Sequence, residues 1–339
     1  MLCCIVLYCF IFVFVYYLFK YFVLEKFFYL KNIEKRHVFI TGCDTGFGRK
    51  LALKLADNGA PVFAGCFSQQ GGRSLADEAK KFSGKLTIID LDVRKNGSLE
   101  EAKKIVEKEL NGRELWAIVC NAGISHVTGA DDFLTVEDYA STLEVNTFGV
   151  IRTCHVFKPL IKKSRGRIVI MCSMLCRLAL PHLGPYVVSK FATAAYADIL
   201  RMETKPFGVT VHTMEPGFYK TGITNCETVV ENYAKLWSKV PQEVKDEYGE
   251  TFYNQMVESV KNNLTAWSSD NLDEVIDAYY HALMARFPRD RYVLGSDAKY
   301  IFRLISLLPT WAQDFLICLL AKKDNVPLPA ACCKYSKLD

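Results

Sequence analysis

Tyr186 and Lys190 stand four positions apart in Pro185-Tyr186-Val187-Val188-Ser189-Lys190, and Ser173 lies thirteen residues ahead of the tyrosine. On a helix this spacing puts the phenol and the ammonium on one face, one turn apart. A free tyrosine titrates near about 10, too high for efficient proton transfer at neutral pH. A nearby positive charge favours the phenolate, so Tyr186 could take the proton from a substrate hydroxyl. Ser173, ending Ile170-Met171-Cys172-Ser173, could hydrogen-bond the same oxygen and hold it in place. Tyr-x-x-x-Lys alone is a frequent accident of helix surfaces, so the argument turns on what surrounds it.

What surrounds it is a glycine loop. Thr41-Gly42-Cys43-Asp44-Thr45-Gly46-Phe47-Gly48 follows an apolar run and opens a helical pattern. In such a GxxxGxG motif, Gly42 permits a tight turn, Gly46 lets backbone N–H groups approach a pyrophosphate, and Gly48 lets the helix pack closely on the strand. The helix amino terminus adds unpaired donors and a favourable dipole for an anion. Thr41, Thr45 and Phe47 belong to the same candidate cofactor cradle. Asp92 and Val93, at the end of the third apolar run, are placed for the adenine, and Asn121-Ala122-Gly123 would leave room for the adenosine half. The second run ends Cys66-Phe67-Ser68-Gln69-Gln70, with neither an acid for ribose hydroxyls nor an adjacent arginine for a 2′-phosphate. NAD is therefore favoured, and Arg49 and Arg73 keep NADP open. With an oxidised nicotinamide beside Tyr186, a hydride could leave the substrate as its proton does.

These groups need a scaffold. After residue 36, short apolar β-branched runs alternate with amphipathic stretches. The runs are His37–Thr41, Pro61–Cys66, Leu86–Val93, Leu115–Cys120, Arg167–Ser173, Val209–Met214 and Arg291–Leu294. Helical patterns cover Gly48–Asn58, Ser98–Leu110, Val136–Lys163 and Ser189–Lys205. This predicts an α/β fold, a doubly wound parallel sheet of about seven strands of Rossmann type. Residues 218–270 break the rhythm, being helical, charged and rich in Tyr and Trp; they read as a substrate lid, or equally as an extra packing helix pair.

The first eighteen residues after Met1, Leu2 to Phe19, are all apolar or tyrosine, about the length of a membrane-spanning helix. No basic n-region or small-residue cleavage site marks a signal peptide. Lys20, Lys26, Lys31, Lys35 and Arg36 follow, which places that side and the catalytic domain in the cytosol. Sequons at Asn96 and Asn263 would test this topology. Residues 300–320 form a second, broken apolar stretch suited to a membrane-associated helical hairpin. The expected organisation is a membrane anchor at 1–30, a catalytic domain at 36–299 and an apolar helical segment and tail at 300–339. The net charge of +5 is scattered, which argues against nucleic acid. Thirteen cysteines contain no CxxC pair and no Cys/His cluster of zinc spacing, so free thiols in a reducing compartment are expected and no metal.

The set Thr41-Gly42-x-x-x-Gly46-x-Gly48, Asn121-Ala122-Gly123, Asn146, Ser173, Tyr186, Lys190 and Pro216-Gly217 resembles the short-chain dehydrogenase/reductase family, from about residue 36 to 325. By that resemblance Asn146 would complete a catalytic tetrad by holding a relay water. Lys190 would also bind the nicotinamide ribose, and Pro216, Gly217 and Thr221 would line the nicotinamide end. Phe63-Ala64-Gly65-Cys66, Glu215-Pro216-Gly217-Phe218 and the tail from Arg289 to Pro309 are similar to the retinol and hydroxysteroid dehydrogenase branch. That branch implies a lipophilic alcohol as substrate and an anchor in the endoplasmic reticulum. Cys120 departs from the family, which usually has asparagine there. A small hydroxy acid of the 3-hydroxybutyrate kind is the alternative substrate and would want a cationic clamp, for which Lys220 or Lys235 could serve. A catalytically silent membrane scaffold would usually have lost the Tyr or Lys present here. Helices flanking such sheets often pair into dimers, which leaves a homodimer open without fixing the oligomeric state. His126 and His182 read as solvent-facing loop residues, with contact to substrate as the alternative, and Tyr219, Tyr233 and Trp237 as packing or as a substrate wall.

Overall fold

The computed structural model describes residues 2–24, 27–323 and 328–335; Lys26 lies outside them, and so do the side chains of Cys3, Cys4, Cys9 and Cys333. Seven strands form the centre: β1 His37–Thr41, β2 Val62–Cys66, β3 Leu86–Asp90, β4 Leu115–Cys120, β5 Arg167–Met171, β6 Thr210–Pro216 and β7 Arg291–Leu294. They make one sheet in the order β3-β2-β1-β4-β5-β6-β7, and every pairing is parallel. β1, β2 and β5 are buried along their whole length. Helices cover both faces, which is why these strands read as unbroken apolar runs.

The helices are α1 Leu2–Phe19, α2 Gly46–Asp57, α3 Gln69–Ala79, α4 Asn96–Leu110, α5 Val136–Leu143, α6 Gly149–Ser164 and α7 Gly184–Thr204. The further long helices are α8 Cys226–Lys239, α9 Gln242–Tyr248, α10 Glu250–Trp267, α11 Leu272–Met284 and α12 Thr310–Lys323, with short turns at Arg303–Ile305 and Ala330–Tyr335. Alternation along β1 divides the core. Phe39 faces one side, its ring 4.2 Å from that of Phe157 on α6, while Val38 and Ile40 join Leu51, Leu55 and Tyr279 on the other. Each such fully buried side chain stabilises the fold by about 1.5–3 kcal/mol. β1 pairs with β2 on one side and β4 on the other, so the strand order reverses there and a crevice opens at the strands' carboxyl ends.

Several boundaries differ from the sequence expectation, and they matter for the site. The helix expected over Val136–Lys163 is two helices joined by a π turn, Glu144–Phe148, which carries Asn146. β3 stops at Asp90 and β5 at Met171, so Asp92 and Ser173 each sit two residues beyond a strand. α7 begins at Gly184, earlier than the apolar pattern from Ser189, and so contains both Tyr186 and Lys190.

Residues 218–270 carry α8, α9 and α10, whose apolar faces meet over Phe133, Tyr233, Trp237 and Phe252 in a small core separate from the two beneath the sheet. Phe302 and Ile305 pack with Met174 and Leu178 in another. Among the described residues, no helix is long and apolar enough to cross a membrane. The 18 residues of α1 extend about 27 Å, somewhat short of a hydrocarbon core of about 30 Å. Cys43, Cys66, Cys120, Cys154, Cys172 and Cys176 are buried free thiols, whereas Cys318 and Cys332 are exposed.

Candidate active site

The glycine loop begins where β1 ends. Gly42 has φ +72°, a left-handed conformation that favours glycine, and a Cβ there would lie 2.7 Å from the Ala122 Cα. A Cβ on Gly48 would meet the Gly42 carbonyl oxygen at 2.2 Å and the Asn121 amide nitrogen at 2.4 Å. The close approach at Gly48 is therefore to the turn and to Asn121, and the strand itself is not what it meets. Gly46 opens α2 with φ +61°, and a Cβ there would come within ordinary contact of the Thr221 side chain, at 3.9 Å. Thr45 caps α2 without using its hydroxyl and faces Gly222. Two loops thus oppose each other at a helix amino terminus, an arrangement that fits a pyrophosphate.

Two expected cofactor residues have other partners. The Thr41 hydroxyl accepts from the Asn121 and Ala122 N–H groups at 3.1 Å each, and Asn121 donates to the Thr41 and Gly42 carbonyls at 3.1 and 2.9 Å. Tyr279 on α11 donates to the remaining Asn121 oxygen at 3.1 Å. These side chains fasten the glycine turn to β4 and so shape the cradle. Asp44, which sequence reasoning passed over, accepts from the Phe67 and Ser68 N–H groups at 2.9 and 2.7 Å and ties the same turn to the end of β2. Phe47 leans its ring on Tyr219, 5.8 Å between centroids. Val93 is buried in the core against Gly149.

Asp92 is held by Arg94 through two hydrogen bonds of 2.9 and 2.8 Å, chiefly for which its carboxyl lies below the usual range. Arg49, a candidate for a 2′-phosphate, is occupied by Glu78 at 2.8 Å and Ser74 at 3.0 Å. Pro216 closes β6, and Gly217 has the Asp297 carboxylate where a Cβ would be, at 2.1 Å. Asp297 in turn accepts from the Phe218 N–H at 2.8 Å, fixing the strand-to-lid turn. Thr221 starts the following short turn, its N–H donating to the Thr224 hydroxyl at 2.9 Å.

Ser173, Tyr186 and Lys190 come together as their spacing predicted. The Ser173 hydroxyl accepts from the Leu175 N–H at 3.2 Å and lies beside the Tyr186 phenol. Lys190 is 2% exposed; its ammonium donates to the Met171 carbonyl at 3.1 Å and stands 5.5 Å from the Tyr186 ring centroid. Burial pushes the Tyr186 phenol up to about 12, and the neighbouring Ser173 hydroxyl pulls the other way without cancelling this. Burial likewise lowers Lys190. The lowering of the phenol expected from the ammonium is not seen; desolvation governs Tyr186 instead.

Asn146 is fully buried, and its side chain is engaged on both sides. It accepts from the Ile124 N–H at 2.8 Å and donates to the Ile124 carbonyl at 2.9 Å and the Ser189 hydroxyl at 3.0 Å. Ser189 donates to the Tyr186 carbonyl at 2.7 Å. The amide thereby braces the strand-end loop of Gly123 against the first turn of α7. A side-chain hold on a relay water, as the resemblance implied, would compete with these bonds.

Beside the Ser–Tyr pair lies a cavity of about 300 Å³, lined by Ser173, Tyr186, Pro216 and Gly217, by residues of α8 and α10, and by Ile317 and Leu320 of α12. Its described lining includes no lysine or arginine. Lys220 pairs with Asp270 at 2.8 Å and Lys235 with Glu231 at 4.0 Å, both outside the cavity. His126 is exposed, as read from sequence. His182 is not solvent-facing: it lines the cavity, as does Tyr233, while Tyr219 and Trp237 pack elsewhere. Asn263 also lines the cavity, which leaves Asn96 as the exposed sequon.

The chain is similar to known proteins over most of its length. The chain is 44% identical over 331 residues to the 3beta-hydroxysteroid dehydrogenase dhs-16 of Caenorhabditis elegans, covering 96% of this chain and 85% of that one. It is 39% identical to Retinol dehydrogenase 7 of Rattus norvegicus, covering 85% and 89%. Among solved structures, a short chain dehydrogenase/reductase from Burkholderia phymatum in complex with NAD superposes with a TM-score of 0.66 at 18% identity, over 85% of this chain and 97% of that one, a likeness of fold. The short chain dehydrogenase family model matches residues 36–230, and the chain belongs to that family.

Proposed function

We propose that the chain oxidises or reduces a lipophilic alcohol–carbonyl pair, a hydroxysteroid or retinoid, with NAD as the preferred partner and NADP as the alternative. The observation that carries this reading is the placement of Ser173 and Tyr186 on the wall of an apolar cavity without a cationic clamp. A carboxylate substrate would be left without a counter-charge there, which disfavours the hydroxy-acid alternative. The steroid and retinol dehydrogenase relatives support the lipid class.

In this reading Tyr186 exchanges the proton with the substrate oxygen, and Ser173 holds that oxygen through its hydroxyl. Lys190, fixed by the Met171 carbonyl, stands beside the phenol and would bind the nicotinamide ribose. Asn146 keeps Ile124 and Ser189, and through Ser189 the start of α7, in register. Gly42, Gly46, Gly48, Thr45, Ala122, Gly123, Pro216, Gly217 and Thr221 form the surroundings in which the dinucleotide would lie. The bound nicotinamide supplies the hydride acceptor. Arg49, already paired with Glu78, is poorly placed to add a 2′-phosphate contact.

The membrane part of the proposal rests on α1 and on the carboxyl-terminal segment. Leu304, Leu307, Trp311, Phe315 and Leu319 are exposed there, next to Ile317 and Leu320 of the cavity wall. Such a surface suits attachment to a bilayer, with α1 as anchor, the endoplasmic reticulum as the site and the catalytic domain on the cytosolic side. The test mixes detergent-solubilised protein with NAD or NADP and hydroxysteroids, retinol or 3-hydroxybutyrate, following reduced-nicotinamide absorbance. Turnover of a lipid alcohol is expected; turnover of 3-hydroxybutyrate alone would overturn the reading.

A further inference from the structure

Glu215 stands one residue before Pro216 on β6 and is fully buried, an unusual place for a carboxylate. It accepts four hydrogen bonds. Arg177 donates two of them, from Nε to Oε2 at 2.6 Å and from Nη2 to Oε1 at 3.3 Å. Arg291 on β7 donates from Nη1 to Oε1 at 2.7 Å, and the Thr213 hydroxyl donates to Oε1 at 3.0 Å. The other terminal nitrogen of Arg291 donates to the Asp198 carboxylate on α7. Two acids and two arginines thus form a charge-balanced network around one buried carboxylate. Such a network is weak ground for stability, since apolar residues of similar volume often serve as well; holding one geometry is the better account of it.

What it holds is the reacting side of the cavity. β5 and β6 pair as far as Met171 and Met214, and the Cys172 N–H still donates to the Met214 carbonyl at 2.8 Å. Beyond that bond the pairing stops: one chain enters the Ser173 turn, the other runs into Pro216 and Gly217. The Ser173 turn is short. The Cys176 N–H donates to the Ser173 carbonyl at 3.0 Å, the Arg177 N–H donates to the Met174 carbonyl at 3.1 Å, and Arg177 ends it. By gripping Arg177, Glu215 ties that turn back to β6 beside Pro216. Arg291 extends the tie to α7, the helix of Tyr186 and Lys190. None of the four charged side chains lines the cavity, so they act on it from behind. We propose that Glu215 and Arg177 are positioning residues, which set the Ser173 hydroxyl against the Tyr186 phenol without touching substrate. This rests on the reading above, in which Ser173 holds the substrate oxygen.

The test uses the full chain in detergent, with saturating NAD and a lipid alcohol that it turns over, and follows reduced-nicotinamide absorbance. A reacting group displaced by about 1 Å costs up to about a hundredfold, so Arg177→Met should lower kcat at least about tenfold. The NAD dissociation constant, from calorimetric titration, should stay within about twofold. Arg177→Lys, which keeps the charge and one bond to the carboxylate, should recover most of the loss. The deciding comparison repeats both changes in Ser173→Ala. Groups that act as a unit are not additive, so once the Ser173 hydroxyl is gone Arg177→Met should cost about twofold or less. If Arg177→Met does not fold, the smaller loss in Arg177→Lys is judged in the same way. An equal loss in both backgrounds is the mark of a structural role and would overturn the positioning role, as would an undiminished kcat in Arg177→Met; either leaves the reading of Ser173 standing. Full turnover by Ser173→Ala alone would overturn that reading, and the positioning role with it.

Discussion

At the residue scale the active site is governed by burial. Tyr186 is a weaker acid here than in water, with its phenol pushed up to about 12, because the cavity wall desolvates the phenolate. Oxidation needs the phenolate, so kcat/KM for the alcohol should climb with pH across the neutral and alkaline range, about tenfold per unit where a single proton controls the rate. Reduction needs the phenol and should stay level over the same range. Tyr186→Phe should lower turnover by about 10²–10⁴-fold or more while dinucleotide titration still shows binding. Lys190→Met removes a buried positive charge 5.5 Å from the ring centroid and should move the oxidation limb to higher pH. Stopped-flow rates from pH 6 to 10 would check both, and an unmoved limb would mean that Lys190 acts only by position.

At the scale of elements, the glycine turn, β4 and α11 act as one unit through Thr41, Asn121 and Tyr279. Gly48 is its tightest point. Gly48→Ala would drive a methyl into the Gly42 carbonyl and the Asn121 amide, so the turn must open. Overpacking of this kind costs about 1–3 kcal/mol, and the distorted cradle should bind NAD at least about tenfold more weakly. Calorimetric titration with an accompanying Tm measures both; unchanged affinity would refute the tight-turn account. The strands and the Ser–Tyr–Lys pairing were legible in sequence because each is a local pattern of apolar runs or helical spacing. The π turn at Asn146 was not: one extra residue in a helical repeat leaves the amphipathic pattern of Val136–Lys163 nearly intact. Nor were the roles of Asp44 and Asp297, whose partners lie 23 and 79 residues away and leave no periodic trace. His182 looked like a loop residue because its neighbours Pro181 and Gly184 are turn formers; only tertiary packing brings it to the cavity.

At the scale of the whole molecule, the carboxyl edge of the sheet holds the site, and its other end holds groups that set stability. His212 on β6 is 1% exposed: its Nδ1–H donates to the Arg289 carbonyl at 2.6 Å, and its Nε2 accepts from the Thr210 hydroxyl at 2.8 Å. Both bonds suit the neutral ring. Burial, with Arg167 and His281 nearby, pushes its pKa down to about 3. The folded chain therefore keeps this ring neutral where the unfolded chain, with a value near about 6.5, takes up a proton. Its contribution to stability is fully present above about pH 6.5 and is lost as pH falls from there toward about 3, by at most about 1.4 kcal/mol per unit. His37 and His182, also lowered by burial, act in the same direction. His212→Gln should thus be less stable than the parent at pH 7.5, yet lose less between pH 7.5 and pH 5. Denaturant midpoints at the two pH values isolate the term as the difference between the two slopes. Parallel slopes would show that protonation of His212 does not contribute to acid destabilisation of this sheet.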